Sequence, residues 1–254
     1  NEMNTSGWYG PAMNIHRTAF SGRNFEYYSE DGVLSGAMAA NAIAGAQEHG
    51  VYAYMKHFAL NDQQINQSKL LCTWANEQAI REIYLKPFEM SVKDADCHAV
   101  MSSFNYIGNR WAGGCSELLQ NVLRGEWGFL GFVETDYFGV YGYMTADQAV
   151  RNGGDLMLCT TGNDYNNVTV LTNSSKQAMR TSAKNILYTV VNSNAMNGWA
   201  STDTLKTITP WWQTAIYALI AVLAVLTILC AWQLSKALKA KKSMVDTAPA
   251  ADQK

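Results

Sequence analysis

The run GFVETDYFG at Gly131–Gly139 sets one carboxylate among aromatic rings. Phe132, Val133 and Thr135 favour a buried strand of a parallel sheet, and Asp136 falls at its C-terminal end. Tyr137 and Phe138 follow, then Gly139 as a turn signal. A carboxylate at a strand end, walled by rings that can stack on a sugar face, is able to attack an anomeric carbon. A plainer role is open to the same residue, that of capping the next helix. Glu134 precedes Asp136 by two, which puts both on one strand face with Glu134 a layer deeper. Other polar groups fall at strand ends. Lys56-His57-Phe58 closes one strand, Ser102-Ser103-Phe104-Asn105 closes another, and His16-Arg17 and Gly22-Arg23 follow the first. A Lys beside a His can hydrogen-bond sugar hydroxyls, although a surface Lys next to a packed His reads the same way. Asp155, after two glycines, is structural on this reading.

The elements that would carry these residues alternate in period. Strand patterns cover Trp8–Ile15, Val51–Leu60, His98–Ile107, Phe132–Thr135 and Asp155–Cys159. Helix patterns cover Leu34–Glu48, Trp74–Lys93 (interrupted by Pro87), Ser116–Arg124, Thr145–Asn152 and Ser174–Asn194. Such alternation predicts an α/β fold with a parallel sheet and crossover helices. In that class the chemistry gathers at the C-terminal ends of the strands, where Asp136 lies. A closed barrel needs about eight strands, so the body reads as part of a barrel whose opening strands lie before Asn1.

Composition narrows the chemistry. The chain has 254 residues, 48% of them hydrophobic, and a formal net charge of −2, too little to attract a nucleic acid. The scattered cysteines Cys72, Cys97, Cys115, Cys159 and Cys230 form no zinc signature and no disulfide framework. Buried free thiols are the expected state for most of them. His16, His49, His57 and His98 lack ligand spacing with carboxylates, so no metal is expected, and no glycine loop shaped for a phosphate appears. No cofactor is implied. From Ala215 to Trp232 there is no charge, and Trp211, Trp212 and Gln213 extend the run to the ~20 residues that a bilayer requires. Lys236, Lys239, Lys241 and Lys242 follow, which by the positive-inside bias puts the tail in the cytoplasm and the folded part outside the cell membrane. That orientation requires translocation, yet the chain opens on Asn-Glu-Met-Asn without a signal-peptide pattern, so either an upstream segment removed from the chain or a longer product is expected.

The ordered blocks GRNFEYYSED at Gly22–Asp31, KHFALNDQ at Lys56–Gln63 and EQAIREIYLKPFE at Glu77–Glu89 resemble family 3 glycoside hydrolases, a group with many β-glucosidases. The similarity continues through VMSSFN at Val100–Asn105, WAGG at Trp111–Gly114 and LLQNVLRGEWGFLGFVETDY at Leu118–Tyr137. The resemblance implies a barrel catalytic domain, a retaining mechanism and Asp136 as the nucleophile. It implies that Arg23, Lys56 and His57 hold hydroxyls of a terminal sugar, with Phe104 and Tyr137 as neighbouring walls; the family often has a tyrosine in place of Phe104. The loop after KHF usually carries a Glu and then an Arg, where this chain has Gln64 and Gln67. The family's acid/base comes from a separate domain, expected outside this chain. The cell-wall N-acetylglucosaminidase branch carries an Asp–His pair after KH, and no His lies between Asp62 and Trp74.

The expected organisation is a partial TIM-like (β/α) barrel over residues 1–197, a linker over 198–213, a single transmembrane helix over 214–234 and a cytoplasmic basic tail over 235–254. The expected function is β-glucosidase-like hydrolysis of terminal β-glycosidic bonds in a β-glycoside or oligosaccharide. The rival is an inactive fragment or a carbohydrate-binding surface protein anchored in the bilayer.

Overall fold

The computed structural model describes residues 5–139, 141–160, 162, 165–197 and 209–246. Two compact units divide the chain, Asn1–Trp199 and Ala200–Lys254. The first is an α/β unit. Its main sheet holds β1 (Gly7–Trp8), β2 (Tyr52–Phe58), β4 (Ala99–Ser102) and β7 (Phe132–Glu134) in the order β1-β2-β4-β7, every neighbour parallel. The register sets Ala99 opposite Phe132, Val100 opposite Val133 and Met101 opposite Glu134. A parallel pair needs a crossover, and helices supply it. Between β1 and β2 runs α1 (Gly32–Glu48), opened by the Asp31 carboxylate, which accepts the N–H groups of Val33 and Leu34 at 2.7 and 3.0 Å.

Strand alternation divides the sheet into two faces. Ala53, Met55, Val100 and Val133 pack on Ala39, Ile43, Phe88, Leu119 and Leu123 of the crossover helices, which makes the main core. Tyr54, Ala99 and Phe132 point the other way, with Tyr52, Leu156 and Ile186 against them. At the N-terminal ends of β4 and β7 the helix α5 (Asn173–Val191) is tied across both. Its Thr189 hydroxyl donates to the His98 carbonyl at 2.6 Å and accepts the Phe132 N–H at 3.4 Å.

Several expectations change. The strand read at Trp8–Ile15 pairs only at Gly7–Trp8, because Gly10 and Pro11 interrupt it; one further bridge joins Ala12 to Lys56. The helix read at Trp74–Lys93 is α2 (Glu77–Ala79), a π-helical stretch at Ile80–Tyr84 and α3 (Lys86–Lys93), with Pro87 inside the first turn of α3, where its missing N–H costs nothing. The stretch His98–Ile107 splits after Ser102, and its end becomes β5 (Tyr106–Ile107) of a second sheet. There β5 pairs in parallel with β3 (Cys72–Thr73) and antiparallel with β6 (Arg110–Trp111). The strand expected at Asp155–Cys159 forms only the bridge from Leu156 to Glu134. Ser116–Arg124 is π-helical over Glu117–Glu126, and Thr145–Asn152 gives α4 (Ala146–Arg151). The cysteines are free, but only Cys97 and Cys115 are buried; Cys159 is half-buried, and Cys72 and Cys230 are exposed.

In the second unit α6 runs unbroken from Trp211 to Asp246. It therefore begins inside the stretch expected as a linker and continues past the expected membrane segment at 214–234. Its portion Trp211–Lys239 is long and apolar enough to cross a bilayer, with a mean hydropathy of 2.5. Most of the expected linker, 198–208, and the end of the expected tail, 247–254, lie outside the described residues.

Candidate active site

The site is built at the C-terminal ends of β2, β4 and β7. Asp136 follows β7 by two residues and is 8% exposed. Its Oδ1 accepts the Tyr137 N–H at 2.7 Å, while its Oδ2 has no hydrogen-bond partner. Burial raises this carboxyl to about 6, against the lowering pull of the Tyr137 N–H, Arg23 and Lys56; Glu26 pushes it up. Asp136 is thus a buried carboxyl drawn toward ionisation by two cations.

His57 is buried at the end of β2, with Nε2 3.8 Å from Asp136 Oδ2. That exceeds hydrogen-bonding distance, so each atom is left to face a third group. Burial, then the charges of Arg23 and Lys56, push the imidazole well below its ordinary range and keep it neutral. Asn14 fixes its position. The Asn14 amide donates to the His57 carbonyl at 2.9 Å, and Asn14 Oδ1 accepts the His57 N–H at 2.8 Å and lies 3.3 Å from Nδ1. The Tyr27 ring meets the imidazole edge-on at 6.3 Å. The peptide bonds Lys56–His57 and Phe58–Ala59 are cis.

Arg23 sits on the loop between β1 and α1, and Glu26 joins it to Lys56. Arg23 Nε donates to Glu26 Oε1, and Lys56 Nζ lies 3.6 Å from Glu26 Oε2. Burial works hardest against the Arg23 charge, but the hydrogen bond to Glu26 together with the charges of Tyr27, Glu26 and Asp136 outweighs it and holds the guanidinium protonated. Glu26 is committed to these cations, in keeping with a structural part in the Arg23 loop.

Phe104 is buried beside Trp111, Phe138 and Met144. Its ring meets Tyr141 edge-on at 5.7 Å, and Tyr143 donates to its carbonyl at 3.0 Å. Arg23, Lys56, His57 and Asp136 are thus brought together, with Phe104 in the adjoining aromatic cluster. Tyr137 follows Asp136 directly. Its ring is 42% exposed, its hydroxyl reaches Thr160 Oγ1 at 3.0 Å, and its backbone N–H donates to Asp136.

Other residues were missed by the sequence reading. Asn14 and Tyr27 hold His57, Tyr141 covers Phe104, and Asp62 accepts the Ile15 N–H at 2.8 Å and ties the loops after β1 and β2 together. Burial pushes the Asp62 carboxyl up to about 7. Asn61 and Asp62 lie inside the KHFALNDQ block, the one signal that could have found the latter. Asp155 is structural: it accepts from Arg124, the Val133 N–H and Asn185 at 2.7, 2.8 and 3.0 Å. At Gln64 and Gln67, Nε2 and Oε1 respectively are buried without partners. No group of three or more metal-ligating side chains forms among the described residues.

Residues 2–187 match the family described as the glycosyl hydrolase family 3 N terminal domain. Beta-glucosidase A of Butyrivibrio fibrisolvens is 45% identical over 138 residues, which is 54% of this chain and 16% of that protein. A beta-glucosidase of Rhizobium radiobacter is 43% identical over 146 residues, 58% of this chain and 17% of that protein. The chain therefore spans less than a fifth of the length of these curated relatives. Among solved structures, beta-glucosidase 3B of Thermotoga neapolitana in complex with glucose superposes with a TM-score of 0.66 at 36% identity, over 75% of this chain and 28% of that one. A beta-glucosidase of Paenibacillus barengoltzii gives a TM-score of 0.68 at 30% identity, over 80% of this chain and 23% of that one.

Proposed function

The chain belongs to glycosyl hydrolase family 3, and on that premise we propose that it carries the nucleophile of a retaining, exo-acting, β-glucosidase-like hydrolase. The observation that carries this reading is Asp136, a buried carboxyl with one unpartnered oxygen, set against a neutral His57 and the cations Arg23 and Lys56. Asp136 attacks the anomeric carbon, and the glycosidic bond breaks as the leaving oxygen takes a proton from an acid outside this chain. Water then hydrolyses the glycosyl-enzyme, with that group acting as base. Arg23 and Lys56 donate to hydroxyls of the terminal sugar, the His57 imidazole presents its ring nitrogen to another, and Phe104 adds an aromatic wall. The parallel sheet is read as part of a (β/α) barrel completed by residues outside this chain. Trp211–Lys239 of α6 is read as a single bilayer span, with the enzyme unit outside and the lysines after Trp232 in the cytoplasm.

A 2-deoxy-2-fluoro-β-glucoside with a dinitrophenyl leaving group tests the assignment, since the fluorine slows hydrolysis of the adduct more than its formation. Mass spectrometry should find the sugar on the peptide containing Gly131–Gly139, and Asp136→Asn should abolish it. An adduct elsewhere, for example on Glu134, removes the assignment. The stranded amide atoms of Gln64 and Gln67 favour a second reading, a sugar-binding chain without catalysis. Glucoside binding by calorimetry without any adduct would select it.

A further inference from the structure

Two buried carboxyls lie two residues apart, Glu134 at the end of β7 and Asp136 just beyond it. Glu134 and Asp136 are 6% and 8% exposed, and Oε2 of the first and Oδ2 of the second lack hydrogen-bond partners. The period of two along a strand puts them in successive layers. Their surroundings differ in sign. Asp136 is faced by Arg23 from the loop after β1, by Lys56 of β2 and by the Tyr137 N–H, with Glu26 as the opposing acid. Glu134 is faced by the hydroxyls of Tyr9, from the segment after β1, and Tyr54 of β2, and by Asp136 itself. Among the described residues, no cation figures in its surroundings. Its register partner on β4 is Met101, and its bridge partner on the other side is Leu156, both apolar. The Tyr9 and Tyr54 rings lie 4.6 Å apart and those of Tyr52 and Tyr54 5.4 Å, so the layer at Glu134 is largely phenolic.

Like charges in adjacent layers of a buried site cannot both ionise cheaply. The cations and the amide N–H decide which carboxyl keeps the proton. Resting on the reading of Asp136 as nucleophile, we propose that Glu134 is a positioning residue acting through it: beside Tyr9, Glu134 is the neutral member of the pair, so that the single negative charge stays on Asp136. Burial and then the Asp136 charge push the Glu134 carboxyl up, in the direction the proposal requires.

The test follows the rate of labelling by the dinitrophenyl 2-deoxy-2-fluoro-β-glucoside against pH on the full chain, with infrared difference spectra for the protonated-carboxyl band. The unmodified chain should show one inflection for Asp136 and a second, at higher pH, for Glu134. Glu134→Gln should remove the second and keep the first. Tyr9→Phe should move the second to higher pH, because the Tyr9 hydroxyl favours the ionised carboxylate. Asp136→Asn should move the loss of the Glu134 carboxyl band to lower pH, since the neighbouring charge is gone. A Glu134→Gln profile with both inflections, or a band that Asp136→Asn leaves in place, overturns the proposal. Labelling outside Gly131–Gly139 overturns the nucleophile reading instead, and the band then still decides whether the two carboxyls are coupled.

Discussion

As the proposed nucleophile, Asp136 would work under opposed demands, because burial that excludes water also holds the proton on the group that must lose it. Burial is the largest influence and raises the carboxyl to about 6; the Tyr137 N–H, Arg23 and Lys56 only partly offset it. On the proposed assignment the ionised form attacks, so labelling by the fluoroglucoside should fall as the pH drops through about 6, and a flat profile from pH 5 to 8 would contradict it. Neutralising Arg23, as in Arg23→Gln, should move that limb to higher pH, since a counter-charge is lost. Asp62 shows the same physics without the chemistry. Its carboxyl titrates near 4 in an unfolded chain and near 7 when folded, so the folded state binds the proton more tightly. Its contribution to stability is full below pH 4 and is lost as the pH rises towards 7. Asp62→Asn keeps an acceptor for the Ile15 N–H and should stabilise the protein at neutral pH by up to about 4 kcal/mol. The gain in Tm should vanish near pH 4, and a pH-independent effect would rule this account out.

The elements differ in how legible they were. Tyr52–Phe58 and Gly32–Glu48 could be read because the apolar run and the Ala-rich run are bounded by Gly50 and by the capping Asp31. The second sheet could not, since strands of two residues, such as Cys72–Thr73 and Arg110–Trp111, carry no period. Asp155–Cys159 was misread as a strand because a half-buried extended segment shows the same apolar pattern. Its Leu158 N–H goes to the Thr135 hydroxyl and its carbonyl accepts from Phe138, contacts that no pattern announces. At the site, Asp136, Lys56, His57 and Arg23 were visible as residue types at strand ends, whereas Asn14 and Tyr27 act through positions set only by the fold. Gly131 shows how β7 is brought close enough to matter. A Cβ there would collide with the backbone of His98, so the start of β7 presses directly on the segment entering β4. Gly131→Ala should therefore cost roughly 1–3 kcal/mol or more by forced separation, read as a lower urea midpoint, and should weaken labelling of Asp136 as well. An alanine variant as stable as the unmodified chain would mean that β4 and β7 are free to part.

At the scale of the molecule, the proposed retaining hydrolysis requires a pair of carboxyls, of which Asp136 would be one. In such enzymes the second lies about 5 Å away, on the opposite side of the scissile bond. Around Asp136, Glu26 is bound to Arg23 and Lys56, and Glu134 lies a layer below on the same strand, so neither is free to protonate a leaving group above the sugar. The two catalytic steps should separate accordingly. Dinitrophenolate departs without a proton, so on the proposed mechanism Asp136 alone should form the glycosyl-enzyme from a dinitrophenyl glucoside. An alkyl glucoside must be protonated as it departs and should react slower by the 10²–10⁴-fold or so that general acid catalysis contributes. The full chain, kept in detergent because of α6, should thus give a burst of dinitrophenolate equal to the enzyme concentration and a slow phase after it, with methyl or cellobiosyl substrates nearly inert. Asp136→Asn should abolish the burst. Equal turnover of alkyl and dinitrophenyl glucosides would require a proton donor among these residues, and Glu26 would be the first to replace, since freeing it needs only a rearrangement of Arg23 and Lys56.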